Sequence, residues 1–177
     1  MLNTNQVLNK ILFLNLLLII LGNCCQKSKI RSIIRGNYQN VLSYSNGPFL
    51  ETRLTNFLDG GPINGILFRD QIYLVTTSTG FTYCYIDHSI IISLRQVYEL
   101  NTFTMWLWDR GNRRYSLIVY ISYNDQEQVI YDSTVASEVL KLTFPNQYIS
   151  SFRIYNRNGN EITERINLIK VEAYFRL

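Results

Sequence analysis

Histidine, cysteine and proline are scarce in this sequence, and each scarcity excludes a class of protein. The 177 residues hold one His and three Cys, too few for a His-rich metal site or a miniprotein stapled by disulfides. With only three Pro and nine Gly, strands can run through long stretches without interruption. Hydrophobic residues make up 47% of the chain, so one domain can bury a core and a disordered chain is excluded.

Charge is sparse as well. Charged residues account for 17% of the chain and give a net charge of +4, and the basic residues form no stripe with interleaved aromatic residues. A nucleic-acid partner is therefore not expected. Aromatic residues reach 14%, with 13 Tyr, and this enrichment favours β-sheet.

Residues 1–25 differ in composition from the rest of the chain. The apolar run Ile11–Leu21 fits the core of a signal peptide and is shorter than the ~20 residues that a membrane-spanning helix needs. The alternative is a retained N-terminal apolar helix, which would then provide the only membrane contact. The absence of N-glycosylation sequons and of a domain partner for Cys84 favours the cytoplasm. We expect entry into the secretory pathway, with cleavage near Cys24 or Cys25.

The remaining sequence predicts a basic linker over residues 26–37 and one β-rich domain over residues 38–177. A short helix is expected after Pro48, because Leu50, Leu54, Phe57 and Leu58 have helical spacing before a Gly pair. The segments beyond Asp70 show the composition and alternation of strands, separated by turn signals. The predicted strands are Gln71–Thr76, Ser89–Leu94, Thr102–Trp108, Tyr115–Ile121, Gln128–Asp132, Val139–Phe144, Ile149–Tyr155 and Asn167–Phe175.

This succession of short strands with almost no helix predicts an antiparallel β-sandwich. Alternation places Phe103, Met105 and Leu107 on one face of their strand and Trp106 and Trp108 on the other. The same period-2 argument predicts the core residues Ile91, Leu107, Leu117, Val119, Phe152 and Val171.

Several short motifs resemble those of the discoidin domains, the coagulation factor 5/8 type C family. These motifs are Leu107-Trp108-Asp109 followed by Arg113–Ser116, Leu58-Asp59-Gly60, Ser151–Tyr155 and Val171–Phe175. The resemblance covers residues 38–175 and implies a galactose-binding-like jelly roll. Within that family the sequence resembles most the C-terminal discoidin-type domains of BTB/POZ domain-containing proteins. The BTB and BACK modules of those adaptors are absent from this sequence, so their role in ubiquitin ligases is not carried over.

The resemblance also implies a structural Ca²⁺. Several galactose-binding-like domains hold this ion with an Asp-Gly loop and a carboxylate of the last strand, which correspond here to Asp59 and Glu172. Carboxylate and backbone oxygens suit such a hard cation. The alternative is a tight turn in which Asp59 caps the backbone. Secreted discoidin domains commonly join their ends by a disulfide, and this sequence has no Cys near residue 177 to form one.

Enzymatic activity is not expected. Cys84 and His88 could form a nucleophilic pair, but four residues along a strand separate two side chains by about 13 Å. Cys84 is therefore interpreted as a core thiol and His88 as a loop residue. The acidic residues show no spacing that indicates the paired carboxyl groups of a glycosidase.

The turn after the predicted strand Thr102–Trp108 carries the best candidates for binding. Arg110, Arg113 and Arg114 accompany Trp108, and arginine beside an aromatic ring can bind a sugar, a phosphate or an acidic peptide. The alternative is that the ring packs in the sandwich and the arginines are solvated. The sequence predicts a non-enzymatic module that binds a protein or glycan through loops at one end. A secreted or surface lectin-like module for sugars or lipid head groups is the second hypothesis.

Overall fold

Most of the chain described by the computed structural model is extended. The description covers residues 39–51, 57–59, 66–70, 80–108 and 111–176. Within them lie eight strands: β1 (Phe49–Leu50), β2 (Phe57–Asp59), β3 (Phe81–Tyr85), β4 (Ser89–Leu107), β5 (Tyr115–Tyr123), β6 (Gln126–Ala136), β7 (Val139–Asn160) and β8 (Arg165–Tyr174). The expected leader over 1–25, the linker over 26–37 and the predicted strand Gln71–Thr76 lie outside the described residues.

Helix is confined to two single 3-10 turns in the described parts of the chain, Tyr44–Asn46 and Ile66–Phe68. None of the helices described there is long and apolar enough to cross a membrane. The predicted helix after Pro48 is wrong at both of its described ends. Phe49–Leu50 pairs with β4 and Phe57–Asp59 pairs with β3. Four apolar residues at helical spacing give only a weak preference for helix. The hydrogen bonds that these segments form with the edges of β4 and β3 are stronger than that preference.

The strands pair antiparallel in the order β2-β3-β8-β4-β7-β5-β6, and β1 adds to β4. The last strand of the chain therefore lies inside the sheet, between β3 and β4. On the other side of β4, β7 is flanked by both β4 and β5. This order brings residues that are distant in sequence into register.

Two long strands fold the sheet over on itself. The register between β4 and β7 shifts between Ser93 and Tyr98 and again between Leu100 and Thr102. Across the resulting interior, the rings of Phe103 and Phe152 stack with centroids 4.4 Å apart, although neither residue is the register partner of the other. The molecule is therefore an antiparallel β-sandwich, as the sequence predicted. The bends also explain why β4 and β7 each join two of the predicted strands.

The core lies between the two layers and confirms most of the predicted core residues. Leu107, Leu117, Val119, Phe152 and Val171 are each no more than 1% exposed. Ile91 is a correction, because it is only half-buried while its neighbours Ile90 and Ile92 are fully buried. A run of three isoleucines gives no polar residue by which the inward face can be recognised, and the prediction selected the outward one.

Candidate functional site

The loop between β4 and β5 is held at both of its ends. The backbone N–H of Trp108 donates to the Asn167 carbonyl over 2.9 Å, and the Tyr115 hydroxyl donates to the Trp108 carbonyl over 2.8 Å. Gly111 and Asn112 turn the chain with φ values of 84° and 52°. The left-handed backbone suits Gly and is tolerated by Asn, which explains the Gly-Asn pair in this turn.

The turn between β6 and β7 faces this loop. Its Glu138 has a φ of 55°, and the Glu138 carbonyl accepts a hydrogen bond from the N–H of Leu107 over 2.9 Å. The two connections enclose a cleft of about 400 Å³. We call it the arginine cleft; its lining residues are Asn112, Arg113, Arg114, Ser137 and Glu138.

Positive charge dominates the arginine cleft. Two guanidinium groups and one carboxylate, that of Glu138, are among its lining side chains. The Nε atom of Arg113 is buried and has no hydrogen-bond partner within the described part of the chain. On Arg114, the backbone N–H donates to the Glu161 carboxylate over 3.3 Å. The cleft therefore offers directed donors for an anionic or hydroxyl-bearing ligand.

The four residues predicted to bind ligand do not all meet in this cleft. Arg113 and Arg114 line it, whereas Arg110 lies outside the described residues. Trp108 is not among the lining residues; its ring packs against that of Phe81, with centroids 5.3 Å apart. Trp106 and Trp108 are both half-buried, in agreement with the outward face that alternation assigned to them. The structure thus separates the aromatic part of the predicted site from its basic part.

Glu172, the carboxylate suggested for calcium, already has a cation beside it. The Lys170 ammonium lies 2.7 Å from Oε1 of Glu172 and donates to the Asp70 carbonyl over 2.7 Å. The Tyr174 hydroxyl donates to Oε2 over 2.6 Å, and burial together with this bond raises the pKa of Tyr174. Both carboxylate oxygens of Glu172 therefore have a side-chain partner in the described part of the chain. The side chain of Asp59 lies outside the described residues, so calcium binding stays an untested prediction.

Cys84 and His88 do not form a catalytic pair. The thiol of Cys84 is fully buried, and burial raises its pKa to about 12. Its Sγ lies 3.6 Å from the backbone oxygen of His88 rather than from the ring, and Nδ1 of the exposed ring is 2.9 Å from the Ile86 carbonyl. A thiol of this kind is protonated and inert at neutral pH. The interpretation of Cys84 as a core thiol is confirmed.

A second cleft, which the sequence reasoning missed, lies at the hairpin between β5 and β6. Asn124 and Asp125 make the two-residue turn, both with positive φ, and the cleft beside it has a volume of about 430 Å³. The only sequence signal was the turn itself, because a third of the lining comes from β7, more than twenty residues beyond the turn. We call it the hairpin cleft; it is lined by Ile121, Ser122, Tyr123, Gln126, Glu127, Gln128, Asn146, Gln147 and Tyr148.

No protein-family model and no curated protein sequence matches the chain, but solved structures do. The family 32 carbohydrate-binding module of Clostridium perfringens NanJ, solved with galactose, is 11% identical with a TM-score of 0.51 over 67% of this chain and 91% of that one. A family 32 module of Streptococcus pneumoniae EndoD is 11% identical with a TM-score of 0.55, over 78% of this chain and 100% of that one. A chitosan-binding module from Paenibacillus sp. IK-5 is 13% identical with a TM-score of 0.55, over 77% of this chain and 99% of that one. This likeness concerns the fold, and it confirms the discoidin-like antiparallel β-sandwich.

Proposed function

We propose that the domain is a non-enzymatic glycan-binding module that holds an acidic sugar chain in the arginine cleft. The observation that carries this proposal is the convergence of Arg113 and Arg114 with the polar side chains of Asn112, Ser137 and Glu138 at one end of the sandwich. Guanidinium groups bind carboxylates with two parallel hydrogen bonds, and the other side chains suit sugar hydroxyls.

The size of the arginine cleft and the nature of its walls support this assignment. A volume of about 400 Å³ lies in the range of small-ligand sites and would admit one or two sugar rings. The cleft is formed by loops on a sheet scaffold, which is where binding residues are commonly placed. The solved structures of similar fold include modules described as binding galactose and chitosan.

The acidic residues of the described chain support binding without catalysis. The Glu127 carboxylate is paired with Arg153 and the Asp132 carboxylate with Arg157 on the sheet surface. Acid and base catalysis of glycoside cleavage instead needs two carboxyl groups facing each other across a cleft. Among the described residues that line the arginine cleft there is one carboxyl group, that of Glu138.

Polygalacturonate provides the direct test, with neutral galactan as the comparison. We expect the full chain to bind the acidic polymer in preference to the neutral one, and the double variant R113A/R114A to bind it about tenfold or more weakly. The thermal melt of the variant should remain near that of the parent chain, because Arg114 is exposed and Arg113 only half-buried.

A control with equal loss of charge separates the cleft from general attraction. The double variant R95A/R157A removes two positive charges at positions that do not line the arginine cleft. It should keep the affinity of the parent chain apart from a small long-range effect that salt screens. Equal weakening by both double variants, or preference for galactan, would overturn the proposal. Binding of vesicles that contain phosphatidylserine, with no binding of either polymer, would instead favour lipid head groups.

We propose two finer assignments that rest on the sequence motifs. The kinship with BTB/POZ domain-containing protein 9 is supported by Leu107-Trp108-Asp109 and the following Arg113–Ser116.

The second assignment is a protein ligand, which would present an acidic peptide to Arg113 and Arg114. An affinity pull-down with the R113A/R114A variant as the comparison tests that alternative, because a partner held by the cleft should be lost from the variant.

A further inference from the structure

We infer that the hairpin cleft is a second sugar site, which binds a neutral sugar. This inference extends the proposed function from one site to two sites of different chemistry on the same module. It rests on the side chains that line the cleft, on how the one charged group among them is occupied, and on the hydrogen bonds that hold the walls.

The lining of the hairpin cleft combines aromatic rings with side-chain amides. Tyr123 and Tyr148 lie side by side with ring centroids 5.8 Å apart and planes tilted by 41°. Three glutamines and one asparagine surround them. Each amide offers both donors and an acceptor, and a tyrosine adds an apolar ring with a hydroxyl, so the set matches the hydroxyl groups and C–H faces of a sugar.

Glu127, the single charged side chain among the described lining residues, is already paired. Nε and Nη2 of Arg153 donate to the two carboxylate oxygens of Glu127 over 2.7 and 2.5 Å. These bonds lower the pKa of Glu127, so the carboxylate stays ionised and neutralised by Arg153 at neutral pH. No Lys, Arg or His is found among the lining residues that the structure describes. The hairpin cleft therefore favours an uncharged ligand, in contrast to the arginine cleft.

The walls of the hairpin cleft are fixed by contacts from neighbouring segments. Nδ2 of Asn101 donates to Oδ1 of Asn146 over 3.0 Å and to the Arg176 carbonyl over 2.6 Å. The Ser150 hydroxyl donates to the Ser122 carbonyl over 2.8 Å and so joins β7 to the end of β5. Walls that are ordered before binding lose less entropy when a ligand arrives.

Strand β5 connects the two clefts. Arg113 and Arg114 precede its first residue, Tyr115, and its last residue, Tyr123, lines the hairpin cleft. Nine residues at about 3.3 Å each place the clefts roughly 30 Å apart at opposite ends of the strand. A module with this arrangement can hold two sugar chains, or two distant parts of one chain, and gain avidity from their linkage.

Site-resolved NMR titration of the ¹⁵N-labelled full chain tests the inference. The probes are galactose, glucose and N-acetylgalactosamine as neutral sugars and galacturonate as the acidic one. We expect at least one neutral sugar to shift the amide signals of Gln126, Gln128 and Asn146 in a saturable way, with little effect on Asn112 and Arg113. The double variant Q126A/Q128A should weaken this binding about tenfold.

Two further variants identify the site and separate this inference from the proposed function. N158A removes an exposed amide that does not line the hairpin cleft and should leave neutral-sugar binding unchanged. R113A/R114A should abolish the response to galacturonate and leave the response to the neutral sugar intact. The inference is overturned if no neutral sugar shifts the hairpin signals, or if Q126A/Q128A folds and binds as the parent does. It is also overturned if R113A/R114A removes neutral-sugar binding.

Discussion

The Lys170 ammonium lies 2.7 Å from a carboxylate oxygen of Glu172 and carries its charge in a largely buried position. It also lies 5.3 Å from the centre of the Trp106 ring and bonds the carbonyl of Asp70. One side-chain cation thus joins β8, β4 and the segment that follows the second 3-10 turn.

Removal of that ammonium should destabilise the fold. K170M leaves the Glu172 carboxylate without its counter-ion in a half-buried position, and we expect a loss of roughly 2–4 kcal/mol in the free energy of unfolding. Urea unfolding measures the loss, and K141M, at an exposed lysine of β7, is the control that should change little.

In the parent chain, neither calcium nor a chelator should shift the thermal melt. A clear upward shift with calcium would contradict this expectation.

Stability should fall above pH 9 because of Cys84. Burial raises the pKa of its thiol from 9.0 to about 12, so the thiol ionises in the unfolded chain before it does in the folded one. Proton loss then favours unfolding, and the free energy of unfolding drops by up to about 1.4 kcal/mol for each pH unit between those two values. C84A should show a shallower slope when urea unfolding is measured below and above pH 9. Equal slopes in the two proteins would contradict this assignment.

Truncation of a core valine should cost far more than truncation of an exposed one. Val119 is fully buried, whereas Val129 on the adjacent strand β6 is 49% exposed. V119A should lose roughly 1–3 kcal/mol through lost burial and a residual cavity. V129A should stay within about 0.5 kcal/mol of the parent chain. Thermal melts of the two variants test the pair, and similar losses would contradict the assigned faces of β5 and β6.

The two indoles should be partly accessible to a quencher. Trp106 and Trp108 are both half-buried on the outer side of the sheet, opposite the buried Met105 and Leu107. W106F leaves Trp108 as the single indole, and its fluorescence should be quenched by iodide in the folded chain. Complete protection in that variant would show that the ring packs inside the sandwich.

We expect the N-terminal leader to be cleaved from the chain. The apolar run Ile11–Leu21 should direct entry into the secretory pathway, and cleavage should follow near Cys24 or Cys25. N-terminal sequencing of protein from its native cells measures the outcome. A soluble chain that still starts at Met1 would refute the prediction.

A strand could be predicted most readily where one of its sides is buried and the other is not. In β5 the buried residues Tyr115, Leu117 and Val119 alternate with less buried ones, and this pattern is readable without any knowledge of the partner strands. The isoleucines of β4 lack that contrast, and the error at Ile91 follows from it. The short strands β1 and β2 have almost no pattern of their own, since they extend only because β4 and β3 offer them a hydrogen-bonding edge.

The candidate sites could be predicted only where their residues are neighbours in sequence. Arg113 and Arg114 were found because they are adjacent, whereas their partners Ser137 and Glu138 belong to another turn. The hairpin cleft needs Tyr123 and Tyr148 together, which depends on the bend in β7 that no local pattern reveals. Lys170, the partner of Glu172, is only two positions away in sequence. Its role as a counter-ion is visible only in the structure, where both side chains are largely buried.

The position of β8 has a consequence for how the protein is made. β8 is the last strand, yet it fills the gap between β3 and β4, and Arg165 contacts Tyr85 across 80 positions of sequence. On the ribosome, one edge of β3 and one edge of β4 therefore stay unpaired until Arg165–Tyr174 has been synthesised. Such edges are prone to aggregation, and the non-local pairing that removes them is slow. A nascent chain released early by a stop codon before β8 would lack the middle of its sheet and become a substrate for chaperones and proteases.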